Sequence, residues 1–169
     1  MPEAVVALGA NLGDPVRALA EAADDLDAVP GVTVKARSRF YTTSPVDSSG
    51  PDYVNAAVLI ETSLTPLQLL RACQQIENAH GRVRPAGVVN APRTLDLDVI
   101  SYEGVEQDDP VLTLPHPRMH ERLFVLVPLA DVSPLYVLSG GETLPEAIAR
   151  VGKTHPDQQI RLLAEESVA

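Results

Sequence analysis

The chain has 169 residues, 45% hydrophobic and 4% aromatic, with a formal net charge of -10 at pH 7 and one cysteine. That length suits one domain with a real core, and the acidic balance argues against general nucleic-acid binding, which needs an electropositive footprint. Cys73 alone excludes an internal disulfide, no apolar run approaches the ~20 residues of a membrane span, and Met1-Pro2-Glu3 lacks the features of a secretory leader, so a cytoplasmic protein is expected.

Ala4-Val5-Val6-Ala7-Leu8 reads as a buried first strand, ended by Gly9-Ala10-Asn11-Leu12-Gly13. Asp14 before Pro15 predicts an N-cap and a helix to about Val29, with Val16, Leu19, Ala23 and Leu26 inward. The glycine-rich turn matches neither G-x-G-x-x-G nor G-x-x-x-x-G-K-S/T and is read as structural. Val32 to Tyr41 alternates and predicts a second strand, Asp47 to Asp52 a flexible loop, and Tyr53 to Glu61 a third strand antiparallel to the second. Tyr53 and Asn55 share a face at its start. They either cap the sheet or form a ring-plus-amide site for a flat polar ligand, and at this point the cap is favoured.

Thr65-Pro66-Leu67-Gln68 is a capping-box pattern, starting a helix with Leu69, Leu70, Cys73 and Ile76 inward and an end at Gly81. Gln74 and Glu77, three apart, lie on a common face. From Asn78 to Leu95 there is no acidic residue, yet His80, Arg82, Arg84 and Arg93 occur there. With Pro85, Gly87 and Pro92, this basic island is expected to be a mobile loop of about ten residues. Solubility is one explanation. Three arginines and no lysine favour forked pairing with phosphate or carboxylate.

Leu95 to Ile100 reads as a strand, with Leu95, Leu97 and Val99 on one face and Asp96, Asp98 and Ile100 on the other. Two carboxylates about 6.5–7 Å apart along a strand can hold one hard cation between them, or two side by side. A half-exposed strand salt-bridged by Arg93 is the other reading, and both stay open. After a turn at Glu103-Gly104, His116 sits between Pro115 and Pro117 in a rigid extended segment suited to ligand contact, although a lone histidine is more often structural. A helix through Arg122 and Phe124 is expected to stop near Pro128, followed by a short strand at Leu135 to Leu138, a Gly140-Gly141 turn and a helix from Leu144 to Val151. The tail from Gly152 carries no readable chemistry, and one domain, 1–169, is expected.

A carboxylate pair beside an arginine-rich loop points to phosphoryl or pyrophosphoryl transfer, where catalysis is mostly positioning and charge neutralisation. Here the pattern becomes specific. Pro92-Arg93-Thr94-Leu95-Asp96-Leu97-Asp98, with Gly81-Arg82-Val83-Arg84 before it and Leu114-Pro115-His116 after it, resembles the 2-amino-4-hydroxy-6-hydroxymethyldihydropteridine pyrophosphokinase family of folate biosynthesis. Gly9 to Gly13, Phe40 to Thr43 and Pro51 to Ala56 match it too, and the similarity runs from residue 4 to about 130, and more loosely to about 150.

The resemblance implies a ferredoxin-like α+β fold, an antiparallel sheet flanked by helices on both faces. It implies ATP as co-substrate, two Mg2+ ions and 6-hydroxymethyl-7,8-dihydropterin as ligands, and AMP and the pterin diphosphate as products; a monomer is expected. Asp96 and Asp98 match the metal-binding aspartates, and Arg82 and Arg93 the catalytic arginines. Gln74, Glu77, Arg84, Thr113, His116 and Arg122 match nucleotide-contacting positions. Tyr53 and Phe124 match the aromatics that sandwich the pterin, Asn55 its amide, and Thr43, Ser44 and Val46 the rest of its slot. A pterin is flat with a donor-acceptor edge, so two ring faces and an amide suit it.

The chain departs from the common pattern in having no tryptophan in the arginine loop, one extra residue between Arg84 and Arg93, Ser44 for a frequent proline and Pro117 for a frequent tyrosine. Two other classes fit parts of the sequence. A metal-dependent phosphoesterase using Asp96 and Asp98 predicts hydrolysis without an acceptor, and a binding module predicts no magnesium-dependent nucleotide binding.

Overall fold

The first strand, β1 (Glu3–Ala10), is buried at six of eight positions because it lies inside the sheet, antiparallel to a neighbour on each side. The structure, a computed structural model, describes residues 1–11, 13–43, 52–82 and 95–167. Its six strands are β1, β2 (Val32–Arg37), β3 (Arg39–Thr43), β4 (Tyr53–Thr62), β5 (Asp96–Tyr102) and β6 (Ile160–Ser167). They run in the order β5-β1-β4-β3-β6, with β2 also pairing with β4, and every pairing is antiparallel. With α1 (Pro15–Ala28) after β1 and α2 (Pro66–Glu77) after β4, this is the expected ferredoxin-like α+β arrangement. The helices α3 (Leu123–Val132) and α4 (Leu144–Thr154) are added after β5.

The sheet buries both faces. Val6, Leu8, Leu97 and Val99 pack with Leu19 and Leu26 of α1 and Leu69, Cys73 and Ile76 of α2. On the other side Val5, Ala57 and Ile100 pack with Leu126 and Leu129 of α3 and Leu144, Ala147 and Val151 of α4. Among the described residues, no helix is long and apolar enough to cross a membrane.

Local signals set most boundaries. Asp14 accepts from the Arg17 amide at the start of α1, and Thr65 with Gln68 and Thr143 with Glu146 form capping boxes for α2 and α4. The structure also departs from the expected elements. The single strand expected over Val32 to Tyr41 is two, broken at buried Ser38. There the Ala57 amide donates to the Ser38 side-chain oxygen at 2.8 Å, while the Ser38 amide donates to the Ala57 carbonyl at 2.9 Å. A hydroxyl takes a place in the ladder that a backbone carbonyl would fill, so the strand bends without leaving a buried amide unpaired.

The α2 helix ends at Glu77, with a π-helical turn over Asn78–Arg82, instead of running to Gly81. Pro128 lies inside α3 instead of ending it, because Leu129 and Val132 beyond it are buried in the second core. Leu135 to Leu138 makes only a bridge between Val137 and Thr143, and the tail forms β6 against β3. The loops expected at Asp47 to Asp52 and around Pro85 to Pro92 fall, except for Asp52, outside the described residues.

Candidate active site

The register of β1 builds the floor of a cleft. Ala7 stands opposite Ala57 on β4 and Asp98 on β5, and Gly9 stands opposite Asn55 and Asp96. Directly opposed residues of antiparallel strands project to the same face, so both aspartates lie on the α3 side, together with Asn55. The small residues of β1 keep that floor low. A Cβ on Gly9 would stand 3.1 Å from Asn55 Nδ2, so an alanine there already crowds the amide.

The walls come from elsewhere. Thr43 of β3 and Tyr53 of β4 form one end, while Arg122, Phe124 and Val125 at the start of α3 form the other. The cleft they enclose with Ala7, Leu8, Gly9, Asn55, Asp96 and Asp98 is about 310 Å3, within the range of small-ligand sites. A larger hollow of about 840 Å3 lies at the opposite end of β1 and β5, but it gathers Glu3, Glu103 and Glu106 and none of the expected site residues.

Inside the cleft, Thr43 Oγ1 donates to Asn55 Oδ1 at 2.8 Å, and both residues are buried. That bond fixes the amide plane and turns its N–H groups toward the Gly9 side as donors. The Arg122 guanidinium lies over the Phe124 ring, 5.4 Å from its centre, a cation–π contact that orients both.

Thr43, Tyr53, Asn55, Asp96, Asp98, Arg122 and Phe124 are thus brought together. Gln74, Glu77, Thr113 and His116 do not line the cleft. Glu77 is buried and its carboxylate accepts from the Leu97 amide at 2.8 Å, bracing the residue between the two aspartates from α2. Gln74 accepts from Arg71, and the Thr113 hydroxyl donates to the Asp109 carbonyl. His116 is half-buried, and its amide donates to the Ile100 carbonyl. Burial lowers its pKa, with Arg122 and Arg118 acting in the same direction and Asp98 opposing them. Ser44, Val46, Arg84, Arg93 and the side chain of Arg82 lie outside the described residues.

Two features were not visible in the sequence. One is the floor of small β1 residues, whose only signal was alanine and glycine at alternate positions 7 and 9. The other is a latch at the far end of α3. Asp131 accepts from the Arg39 amide, its Nε and Nη2, and from the Tyr41 hydroxyl at 2.8 Å. Burial alone would raise the Asp131 carboxyl, but the hydrogen bonds from Arg39 and Tyr41 outweigh it and hold the pKa below its ordinary value of 3.8. A carboxylate depressed on folding adds stability above its unfolded pKa and loses it as pH falls through the folded value. Wild type is therefore expected to lose more stability between about pH 5 and about pH 3 than Asp131→Asn. Urea titrations at the two pH values measure this, and equal losses would remove the latch from the account.

Cys73 is unsuited to act as a nucleophile. Burial, with Glu77 and Asp98 adding to it, pushes its thiol up to about 12.

A sequence model of the family 7,8-dihydro-6-hydroxymethylpterin-pyrophosphokinase matches residues 5–134. The chain belongs to this family. Its relatives include a 2-amino-4-hydroxy-6-hydroxymethyldihydropteridine pyrophosphokinase from Methylorubrum extorquens, 47% identical over 152 residues, 89% of this chain and 94% of that protein. One of the same name from Haemophilus influenzae is 40% identical over 149 residues, 88% of this chain and 92% of that protein. Among solved structures, the crystal structure of an HPPK-DHPS chain in complex with substrates superposes with a TM-score of 0.71 at 12% identity. That superposition covers 98% of this chain and 48% of the other, so this chain spans about half its length, and the likeness speaks for the fold alone. The cleft of this chain, with two carboxylates on its floor and an aromatic ring in each wall, can hold a charged and a flat ligand side by side.

Proposed function

We propose that the cleft over β1, β4 and β5 is where this chain carries out the reaction of its family, transfer of a pyrophosphoryl group from ATP to the hydroxymethyl oxygen of 6-hydroxymethyl-7,8-dihydropterin. The observation that carries the reading is that Asp96 and Asp98 share one cleft with Tyr53, Asn55 and Phe124. The pterin ring stacks between Tyr53 and Phe124, and Asn55, held by Thr43, donates to an acceptor on its edge. Backbone groups near Thr43, Ser44 and Val46 complete that slot.

The triphosphate lies along Asp96 and Asp98, with Arg122 at its side. Arg82, Arg84 and Arg93 pair with its oxygens, and Gln74, Thr113 and His116, outside the cleft, flank the nucleoside, while buried Glu77 serves the site by bracing Leu97 between the two aspartates. The pterin hydroxymethyl oxygen forms a bond to the β-phosphorus, the bond from that phosphorus to the oxygen bridging to the α-phosphate breaks, and AMP leaves with that oxygen. The hydroxyl proton passes to solvent or a phosphate oxygen.

Magnesium fits the donor set. Mg2+ is commonly held by one or two carboxylates plus substrate phosphates, and no group of three or more histidine, cysteine or acidic ligands occurs among the described residues. When bound it supplies charge neutralisation at the phosphate oxygens. Asp96 and Asp98 are the residues that hold it. The acidic, single-cysteine chain acts as a cytoplasmic monomer on these small molecules.

Product analysis tests the reading. With ATP, magnesium and the pterin all present, AMP and the pterin diphosphate form in equal amounts. ADP as product, or ATP hydrolysis at the same rate without the pterin, would overturn it.

A further inference from the structure

Helix α3 starts without a cap of its own. Arg122 holds the N-cap position in extended conformation, at φ -126° and ψ 109°, and makes no side-chain capping bond. The first amides of a helix have no intrahelical partner and need one from elsewhere. Here the partner comes from the tail. The Leu123 amide donates to Gln158 Oε1 at 2.9 Å, and Gln158 Nε2 donates to the Glu121 carbonyl at 2.8 Å. One planar amide grips the backbone on both sides of Arg122, as the edge of a neighbouring strand would.

Two residues later the tail reaches the opposite wall. Ile160 opens β6 and pairs with Thr43 of β3. The short segment 158–160 is therefore bonded to the helix start carrying Arg122 and Phe124, and to the strand end carrying Thr43. It lies beyond residues 5–134, the stretch the family model matches.

We propose that Gln158 is a positioning residue for pterin binding: it sets where Phe124 stands relative to the Thr43 and Asn55 side of the cleft. This rests on the pyrophosphokinase reading of the site. Dispersion between stacked rings falls steeply with a gap of under an ångström, so a helix start free to fray weakens the sandwich. The Arg122 contact with Phe124 moves with it, because both side chains leave the same backbone turn.

Full-length Gln158→Met keeps the side-chain length and removes both hydrogen bonds. Gln158→Glu keeps the acceptor for the Leu123 amide and removes the donor to Glu121. With ATP and magnesium saturating, Gln158→Met is expected to raise the pterin KM about tenfold, the size of one or two lost neutral hydrogen bonds, with kcat within about threefold. Gln158→Glu is expected to fall between that variant and wild type. A lower melting temperature with the pterin KM within about twofold of wild type would overturn the proposal, because Gln158 would then serve the fold alone. Should Gln158→Met fail to fold, Gln158→Glu decides by the same criterion. A wild-type chain that makes no AMP with the pterin refutes the functional reading itself. An active wild type with an unmoved Gln158→Met refutes only the positioning role.

Discussion

Asp98→Ala is expected to lower kcat by about a thousandfold while the chain keeps its fold. Asp98 is exposed and faces the cleft opposite Ala7, while Leu97 and Val99 on either side of it are buried against α1 and α2. Those neighbours hold β5 in place whether or not the carboxylate is present, so the cost to stability is small. On the proposed reading the cost to chemistry is large, because one of two oxygen-donor side chains for the cation is gone and the phosphates lose the charge that offsets their own. Asp98→Asn keeps the shape, removes the charge and is expected to act in the same direction. Rates of AMP release over a magnesium titration, with far-UV circular dichroism and melting curves as the folding control, measure the effect. Near-normal turnover in Asp98→Ala would take the metal role away from this residue.

Phe124→Ala is expected to raise the pterin KM roughly thirtyfold, the effect of about 2 kcal/mol of lost stacking and apolar contact. The KM for ATP should move much less, but not by zero, because the Arg122 guanidinium rests on the same ring. Phe124→Tyr keeps the face and should stay near wild type. Varying each substrate at saturating levels of the other separates the two effects. A larger rise in the ATP KM than in the pterin KM would assign the ring to the nucleotide side, and no rise in either would remove the sandwich.

Short-range patterns carried much of this structure in plain view. The alternation of Leu95, Asp96, Leu97, Asp98 and Val99 fixes which side chains share a face, and the structure has the three apolar residues in one core and both aspartates in the cleft. The capping boxes at Thr65 and Thr143 likewise depend only on residues three apart. What stayed hidden depends on partners distant in sequence. Ser38 breaks a strand because its hydroxyl meets the Ala57 amide, which no periodicity reports. Gln74 and Glu77 looked equivalent, yet only Glu77 is drawn inward by the Leu97 amide. Gln158 and β6 sit in a polar tail with no period to read, and they matter through bonds to residues 35 and more than a hundred positions away.

Tyr53 and Asn55 show how the two sources combine. On their own they read best as a sheet cap. The register that sets Asn55 opposite Gly9, and the open floor that glycine leaves, favour a ligand site instead.

On the proposed reading the paired aspartates bind nucleotide through a divalent cation, and the pterin then joins them. Calorimetric titration of the full chain with a non-hydrolysable ATP analogue, with and without magnesium and followed by the pterin, tests it most directly. Analogue binding is expected to need magnesium, to be lost in Asp96→Ala and Asp98→Ala, and to be followed by pterin binding to the loaded protein. Analogue binding of equal strength without magnesium, or unchanged in both variants, would contradict it.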